Sequence, residues 1–178
     1  TSLMNSLEGD RAYPRYKPPF PANKGLWGMP TTINNVETIA TVPPIITMGA
    51  DAYAAIGAPG HSGTILYGVS GHVNKPGVYE LPTGVLLTDI IHNVCGGVPG
   101  NKKVKAVIPG GSSMPPLRGD EIEGVRMDEE SLKKIGTHIG TAGIMVMDED
   151  TDIVAVTLRI ARFYHHESCG QCTPCREG

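Results

Sequence analysis

Cys169, Cys172 and Cys175 stand in the run Glu167-Ser168-Cys169-Gly170-Gln171-Cys172-Thr173-Pro174-Cys175-Arg176-Glu177-Gly178, with two residues between neighbours. Thiolates at that spacing reach adjacent irons of a [4Fe–4S] cubane while the loop curls over one face. Gly170 lets the backbone come close, and Pro174 stiffens the approach to Cys175. Backbone N–H groups turned inward by such a loop can hydrogen-bond cluster sulfurs and tune the potential. A cubane takes one thiolate per iron, so a fourth ligand is expected outside this run. Both ends of the sequence are abrupt, which reads as an internal fragment of a longer protein.

Other thiol chemistry fits less well. Structural zinc takes two ligand pairs separated by a longer stretch; His165 and His166 could complete a set, but they read as the end of a helix. A disulfide would leave one of the three clustered thiols unpaired, with Cys95 remote. A thioredoxin-like site needs only one Cys-x-x-Cys. Cys95, in Asp89-Ile90-Ile91-His92-Asn93-Val94-Cys95-Gly96-Gly97, is expected to pack in a core, as free cysteines usually do.

The cysteine loop needs an element to carry it. Ile153, Val156, Ile160 and Tyr164 recur with helical spacing, and Thr151 or Asp152 can cap the start. Arg159, Arg162, His165 and His166 fall on the last turns, where positive charge suits the helix dipole. Upstream, Thr64–Val69, Val104–Ile108 and Ile144–Met147 read as strands, with a type II turn centred on Pro76-Gly77. Leu87–Val94, ended by Gly96, and Asp128–Gly136, acidic first and basic last, read as short helices. These elements predict a small mixed sheet of β-grasp type. Thr31–Ala40 looks like a helix start, capped by Thr32 or Asn34, with Val36, Ile39 and Ala40 inward. Tyr13–Pro30 has no period, and long aperiodic loops in compact domains are often functional.

Composition bounds the function. The 178 residues are 40% hydrophobic, enough for a core, and carry a formal net charge of −3, which argues against a nucleic-acid partner. No apolar run approaches a membrane span, because Pro43 and Pro44 break Thr41–Ile46, so no direct membrane insertion is expected. Thr1-Ser2-Leu3-Met4 shows no secretory leader pattern, and clustered thiols without a disulfide framework suit a reducing compartment.

Lys17-Pro18-Pro19-Phe20-Pro21, Gly25-Leu26-Trp27-Gly28, Pro30-Thr31-Thr32-Ile33-Asn34-Asn35-Val36-Glu37-Thr38 and the terminal cysteine run share one order and spacing with a known family. Ser70-Gly71-His72-Val73 and Ala106–Ser113 add to it. The chain resembles, over essentially its whole length, the NADH-binding flavoprotein subunit of respiratory complex I and the related diaphorase subunits of NAD-linked hydrogenases and formate dehydrogenases. The resemblance implies oxidation of NADH at an FMN and single-electron transfer to a [4Fe–4S] cluster. It places Lys17 and Phe20 in the NADH-site segment, Lys17 as a cation for phosphate or ribose oxygens and Phe20 as a face for adenine. Read as isolated residues, they are a solvated lysine and a core phenylalanine. Asn35 and its neighbour Asn34 match the FMN contact; helix capping is the other use of an asparagine there. Cys169, Cys172 and Cys175 match three cluster ligands, the fourth lying beyond Gly178.

The implied fold is α+β. Residues 1–61 end an FMN/NADH-binding domain, 62–147 form a β-grasp-like domain of soluble-ligand-binding type, and 148–178 begin a helical [4Fe–4S] domain. The family's glycine-rich FMN and NADH loops are missing, so most of the flavin site lies outside this chain and no catalytic residue is assigned. Implied partners are other electron-transfer subunits, a [2Fe–2S] subunit among them, in a peripheral arm on the cytoplasmic side of a membrane. An iron–sulfur relay or docking module without nucleotide chemistry is the alternative function, and a zinc-stabilised binding domain a third. The segment from Lys17 to Thr38 favours the first reading, since a bare relay has no need of it.

Overall fold

Alternate residues of Thr64–Gly71 are large and apolar (Ile65, Tyr67, Val69), and an extended chain turns them to one face. In the computed structural model, which describes residues 2–177, this stretch is strand β3. Before it come helices α1 (Ser2–Leu7), α2 (Val36–Met48) and α3 (Ala50–Ala54) and a small antiparallel pair, β1 (Gly57–Ala58) with β2 (His61–Ser62). After it come β4 (Gly77–Pro82), α4 (Leu87–Asp89), β5 (Val104–Ile108), β6 (Leu117–Arg118), α5 (Glu129–Lys134), β7 (Gly143–Asp148), α6 (Ile153–Glu167) and α7 (Thr173–Glu177). The main sheet runs β4-β3-β7-β5-β6. It is mixed: β3 and β7 are parallel, with Val69 opposite Ile144, and the other neighbours are antiparallel. A mixed α+β architecture is therefore present, with the three expected strands and the helix near Asp128–Gly136 where periodicity put them.

The chain divides into two compact units, one from Pro44 to Thr157, the other joining residues up to Pro43 with those from Leu158 onward. In the first, Tyr67, Leu87, Ile90, Ile91, Val107, Met127, Leu132, Ile144 and Val146 form the buried core. The Tyr67 hydroxyl, buried with its ring, donates to the Met127 carbonyl at 3.2 Å. Cys95 is fully buried beside the Tyr79 hydroxyl, and burial pushes its thiol pKa up, as a packing cysteine requires. The Asp128 side chain caps α5 through Ser131 N at 2.8 Å.

Three local expectations need correction. No type II turn forms at Pro76-Gly77: Gly77 opens β4 opposite Val69 and does not take a positive φ. Asn74 and Lys75 N–H groups instead donate to Gly97 and Cys95 carbonyls, both at 2.9 Å, so the loop is held by the segment after α4. The helix from Leu87 is α only to Asp89 and widens into a π turn over Ile90–Val94, with Cys95 N–H bonded to Ile90 O at 2.9 Å. Finally, α2 starts at Val36 and runs through Pro43 and Pro44 to Met48, and none of its residues is buried. Val36 is 84% and Ile39 52% exposed, because no layer among the described residues covers that face.

The helix α6 pattern is met in part: Val156 and Ile160 are half-buried, whereas Ile153 and Tyr164 are exposed. Among the described residues no helix is long and apolar enough to cross a membrane.

Candidate cluster and nucleotide site

Asp152 caps α6, its carboxylate accepting from Val154 N at 2.9 Å and Ala155 N at 3.2 Å. The helix runs to Glu167, and the cysteine loop follows at once. Gly170 takes φ 69°, a left-handed conformation that a side chain would resist, and its N–H donates to Ser168 Oγ at 3.2 Å. Cys172 then precedes α7, and its carbonyl accepts from Cys175 N and Arg176 N, both at 3.1 Å. All three loop thiols are free and exposed. The Cys172 sulfur is held below the ordinary cysteine pKa, first by the backbone N–H of Cys175, then by the Cys175 thiol, with Arg176 adding positive charge.

This donor set suits a thiolate-ligated iron–sulfur group: soft sulfur ligands, access from solvent, and one sulfur already inclined to ionise. Among the described residues no three His, Cys, Asp or Glu side chains converge as a ready-made metal site. Cys172 and Cys175 contact each other, while Cys169 lines a cleft of its own. His165 and His166 lie in the last turn of α6, with His166 Nδ1 3.0 Å from Glu167 Oε1.

The cleft beside Cys169 has a volume of about 290 Å³ and is lined by Tyr13, Pro14, Tyr16, Cys169, Gly170 and Gln171. Its far wall is a strap without regular secondary structure, anchored to α1. Ser2 Oγ donates to Tyr13 O, and Arg15 Nη2 donates to Asn5 Oδ1, each at 3.0 Å. The Arg11 guanidinium lies 4.6 Å from the centre of the Tyr13 ring, a cation–π distance.

The strap continues directly into Lys17 and Phe20. Lys17 Nζ stands 5.8 Å from the centre of the Phe20 ring, and Phe20 is 56% exposed, so it is not a core residue. From Phe20 to Thr31 the chain closes on itself: Thr31 N–H donates to Pro21 O at 2.9 Å, and Leu26 N–H to Thr31 Oγ1 at 2.9 Å. At the tip Trp27 is 79% exposed with φ 50°, a conformation rarely taken by a bulky residue. Asn35 caps α2, Oδ1 accepting from Thr38 N at 3.2 Å, which leaves the Nδ2 donors for other use. The expected caps, Thr32 and Asn34, give way to Asn35, and Asn34 is exposed just before it.

Tyr13 and Tyr16 were not singled out by sequence reasoning; the long aperiodic stretch they open was the available signal. Trp27 belongs to the Gly25–Gly28 motif, but its backbone conformation has no sequence signature.

Comparison with known proteins places these features in a class. Residues 66–156 match the SLBB domain, about half of the chain, and the chain belongs to that family. Residues 155–178 match the NADH-ubiquinone oxidoreductase-F iron-sulfur binding region, which contains all three loop cysteines. Over its full length the chain is similar to the NADH-quinone oxidoreductase F subunit of Rickettsia bellii, at 54% identity over 43% of that protein. It is also similar to the F 1 subunit of the same enzyme in Rhizobium meliloti, at 50% identity over 41% of that protein. Among solved structures, the NAD+-reducing [NiFe]-hydrogenase in its air-oxidized state matches 98% of this chain and 29% of the hydrogenase chain, at 38% identity and TM-score 0.80. The chain thus spans less than half the length of the curated relatives it matches. The resemblance to the flavoprotein and diaphorase subunits holds at the level of sequence and of fold.

Proposed function

We propose that this chain is part of an NADH dehydrogenase flavoprotein subunit that takes hydride from NADH onto FMN and passes single electrons to a [4Fe–4S] cluster. The observation that carries this reading is the strap. Tyr13 and Tyr16 line one cleft with Cys169, and the next residues along the chain are the Lys17–Phe20 pair, so the Lys17–Phe20 segment and the cysteine loop belong to one compact unit, as a nucleotide site close to a cluster would require. When bound, the flavin accepts electrons as a pair and releases them singly, and the cluster receives them.

The chain's own residues bind and orient. Cys169, Cys172 and Cys175 supply three thiolates, the Cys172 sulfur held below the ordinary cysteine pKa by the Cys175 N–H and thiol. Lys17 offers a cation to nucleotide phosphate or ribose oxygens, and Phe20 an exposed ring face to adenine. Asn35, its Oδ1 engaged by the helix, presents its amide donors to flavin oxygens, with Asn34 beside it. Residues 1–61 complete an FMN/NADH-binding domain, 62–147 form a β-grasp-like domain, and 148–178 open a helical cluster domain. The whole protein sits in the peripheral arm of a multi-subunit complex on the cytoplasmic side of a membrane, with a [2Fe–2S] subunit as neighbour. A relay or docking module without nucleotide chemistry leaves Lys17 to Thr38 unexplained.

The test is anaerobic purification of the full-length parent, with iron, sulfide and FMN analysis and an NADH–ferricyanide assay. Iron, sulfide, flavin and turnover are expected together. Zinc with neither iron nor flavin refutes the proposal.

A further inference from the structure

We propose that Tyr13 and Tyr16 form an aromatic wall over the Cys169 corner of the cluster site, restricting water there and so holding the cluster's reduction potential down. This rests on the cluster-binding reading above.

The wall is built. An aperiodic segment on a protein surface has no inherent reason to stay in place, yet this one is fixed to α1 at two points, Ser2 to Tyr13 and Asn5 to Arg15. Pro14 restricts the backbone between the two tyrosines. Arg11 stacks on Tyr13, adding a contact that orients the ring. Aromatic residues make up only 5% of the chain, yet Tyr13 and Tyr16 both line the cleft that holds Cys169. Tyr13, 48% exposed, forms the inner part of the wall, and Tyr16, 81% exposed, its rim.

The effect follows from charge. A thiolate-ligated cluster becomes more negative on reduction, and water stabilises the more charged state. Aromatic faces in place of water disfavour that state and lower the potential. They also hinder any solute that would reach the irons past Cys169.

The experiment uses the full-length, cluster-loaded parent and compares Y13A/Y16A with Y13F/Y16F. Two quantities are read: the anaerobic rate of iron loss to EDTA, followed by visible absorption, and the midpoint potential from an EPR-monitored titration. In Y13A/Y16A, iron loss is expected several-fold faster and the potential shifted upward. Y13F/Y16F, which keeps the rings and removes the hydroxyls, is expected to match the parent in both. Parent-like behaviour of Y13A/Y16A overturns the proposal, and so does a phenylalanine pair that behaves like the alanine pair. Should Y13A/Y16A fail to hold a cluster, Y16A at the exposed rim decides: the same two changes support the wall, and parent-like values overturn it. A parent without iron and sulfide fails the underlying functional reading, a result distinct from a loaded cluster indifferent to the tyrosines.

Discussion

Gly71 ends β3 where that strand lies beside β7, with φ 85°, and a Cβ built there collides with the carbonyl oxygen of Val146. Gly68, three residues earlier on the same strand, has no positive φ and nothing within 4 Å of a built Cβ. The pair separates backbone strain from strand propensity. For G71A, forcing a side chain into the left-handed region costs about 1–2 kcal/mol. Displacing the neighbouring backbone adds about 1–3 kcal/mol. The more restricted unfolded chain offsets roughly 0.5–1 kcal/mol of this. The net loss is about 1–4.5 kcal/mol, centred near 3 kcal/mol, a large share of the roughly 5–15 kcal/mol that holds a typical domain. For a unit of this size it lowers Tm by on the order of 5–20 °C. G68A is expected within about 0.5 kcal/mol of the parent, or slightly stabilised, because alanine restricts the unfolded chain and meets no clash. Thermal and urea unfolding of the 178-residue chain, followed by circular dichroism, measures both. A G71A variant within about 1 kcal/mol of the parent, or a G68A variant as damaged as G71A, refutes the reasoning.

The remaining predictions concern the site and its supports. N35A removes the α2 cap and is expected to cost about 0.5–2 kcal/mol of local helix stability, seen as faster amide exchange over Val36–Ala40. N35D keeps a capping oxygen but not the amide donors, so in the full-length parent it should retain the helix and lose flavin affinity. Glu129 accepts from Ile139 N and pairs with His138 Nδ1 at 2.7 Å, and the His138 contact leads in holding its carboxyl below the ordinary glutamate range. A depressed folded-state pKa makes that contribution full above the unfolded value of about 4.3 and lost as the pH falls through the folded value. The stability gap between the parent and E129Q should therefore stay level near neutral pH and close below about pH 4. The 178-residue chain alone is expected to show no NADH–ferricyanide turnover, and three thiolates should leave reconstituted iron unstable to gel filtration. Robust turnover or a stable four-iron cluster would count against the assignment of the missing flavin loops and fourth ligand to the rest of the parent.

The sheet was legible because its signals are local and redundant. Ile65, Tyr67 and Val69 alternate, Asp128 precedes acids and Lys133-Lys134 in a short helix, and each pattern has one structural outcome. The cysteine spacing pointed to the iron-sulfur binding region that residues 155–178 match, because such spacing encodes ligand reach along the backbone. The faces of α2 and α6 were not. Val36, Ile39 and Tyr164 have helical spacing, but spacing says which residues share a face, not whether anything packs on it. Pro43 and Pro44 show a related limit: each removes a backbone donor, yet the helix continues through them to Met48. Asn35 shows the limit for site residues. One carboxamide serves as helix cap and as candidate flavin contact, and only its hydrogen bond to Thr38 shows which of its atoms remains available.

The open geometry of the cysteine loop has a physical reading of its own. Thiolates brought together repel, so a loop with three of them gains nothing by closing until a cation-bearing group compensates the charge. Cys172 and Cys175 reach a partial solution, a hydrogen bond in which one thiol stabilises the other's ionised sulfur, and Arg176 lends positive charge. Cys169 has no place in that pair and faces the tyrosine strap. Gly170, at φ 69° and with no atom near a built Cβ, makes the turn that sets Cys169 beside the strap and apart from that pair. Cluster ligation would supply that compensating charge, and the strap, anchored to α1 by Ser2 and Asn5, stands as a fixed surface beside Cys169.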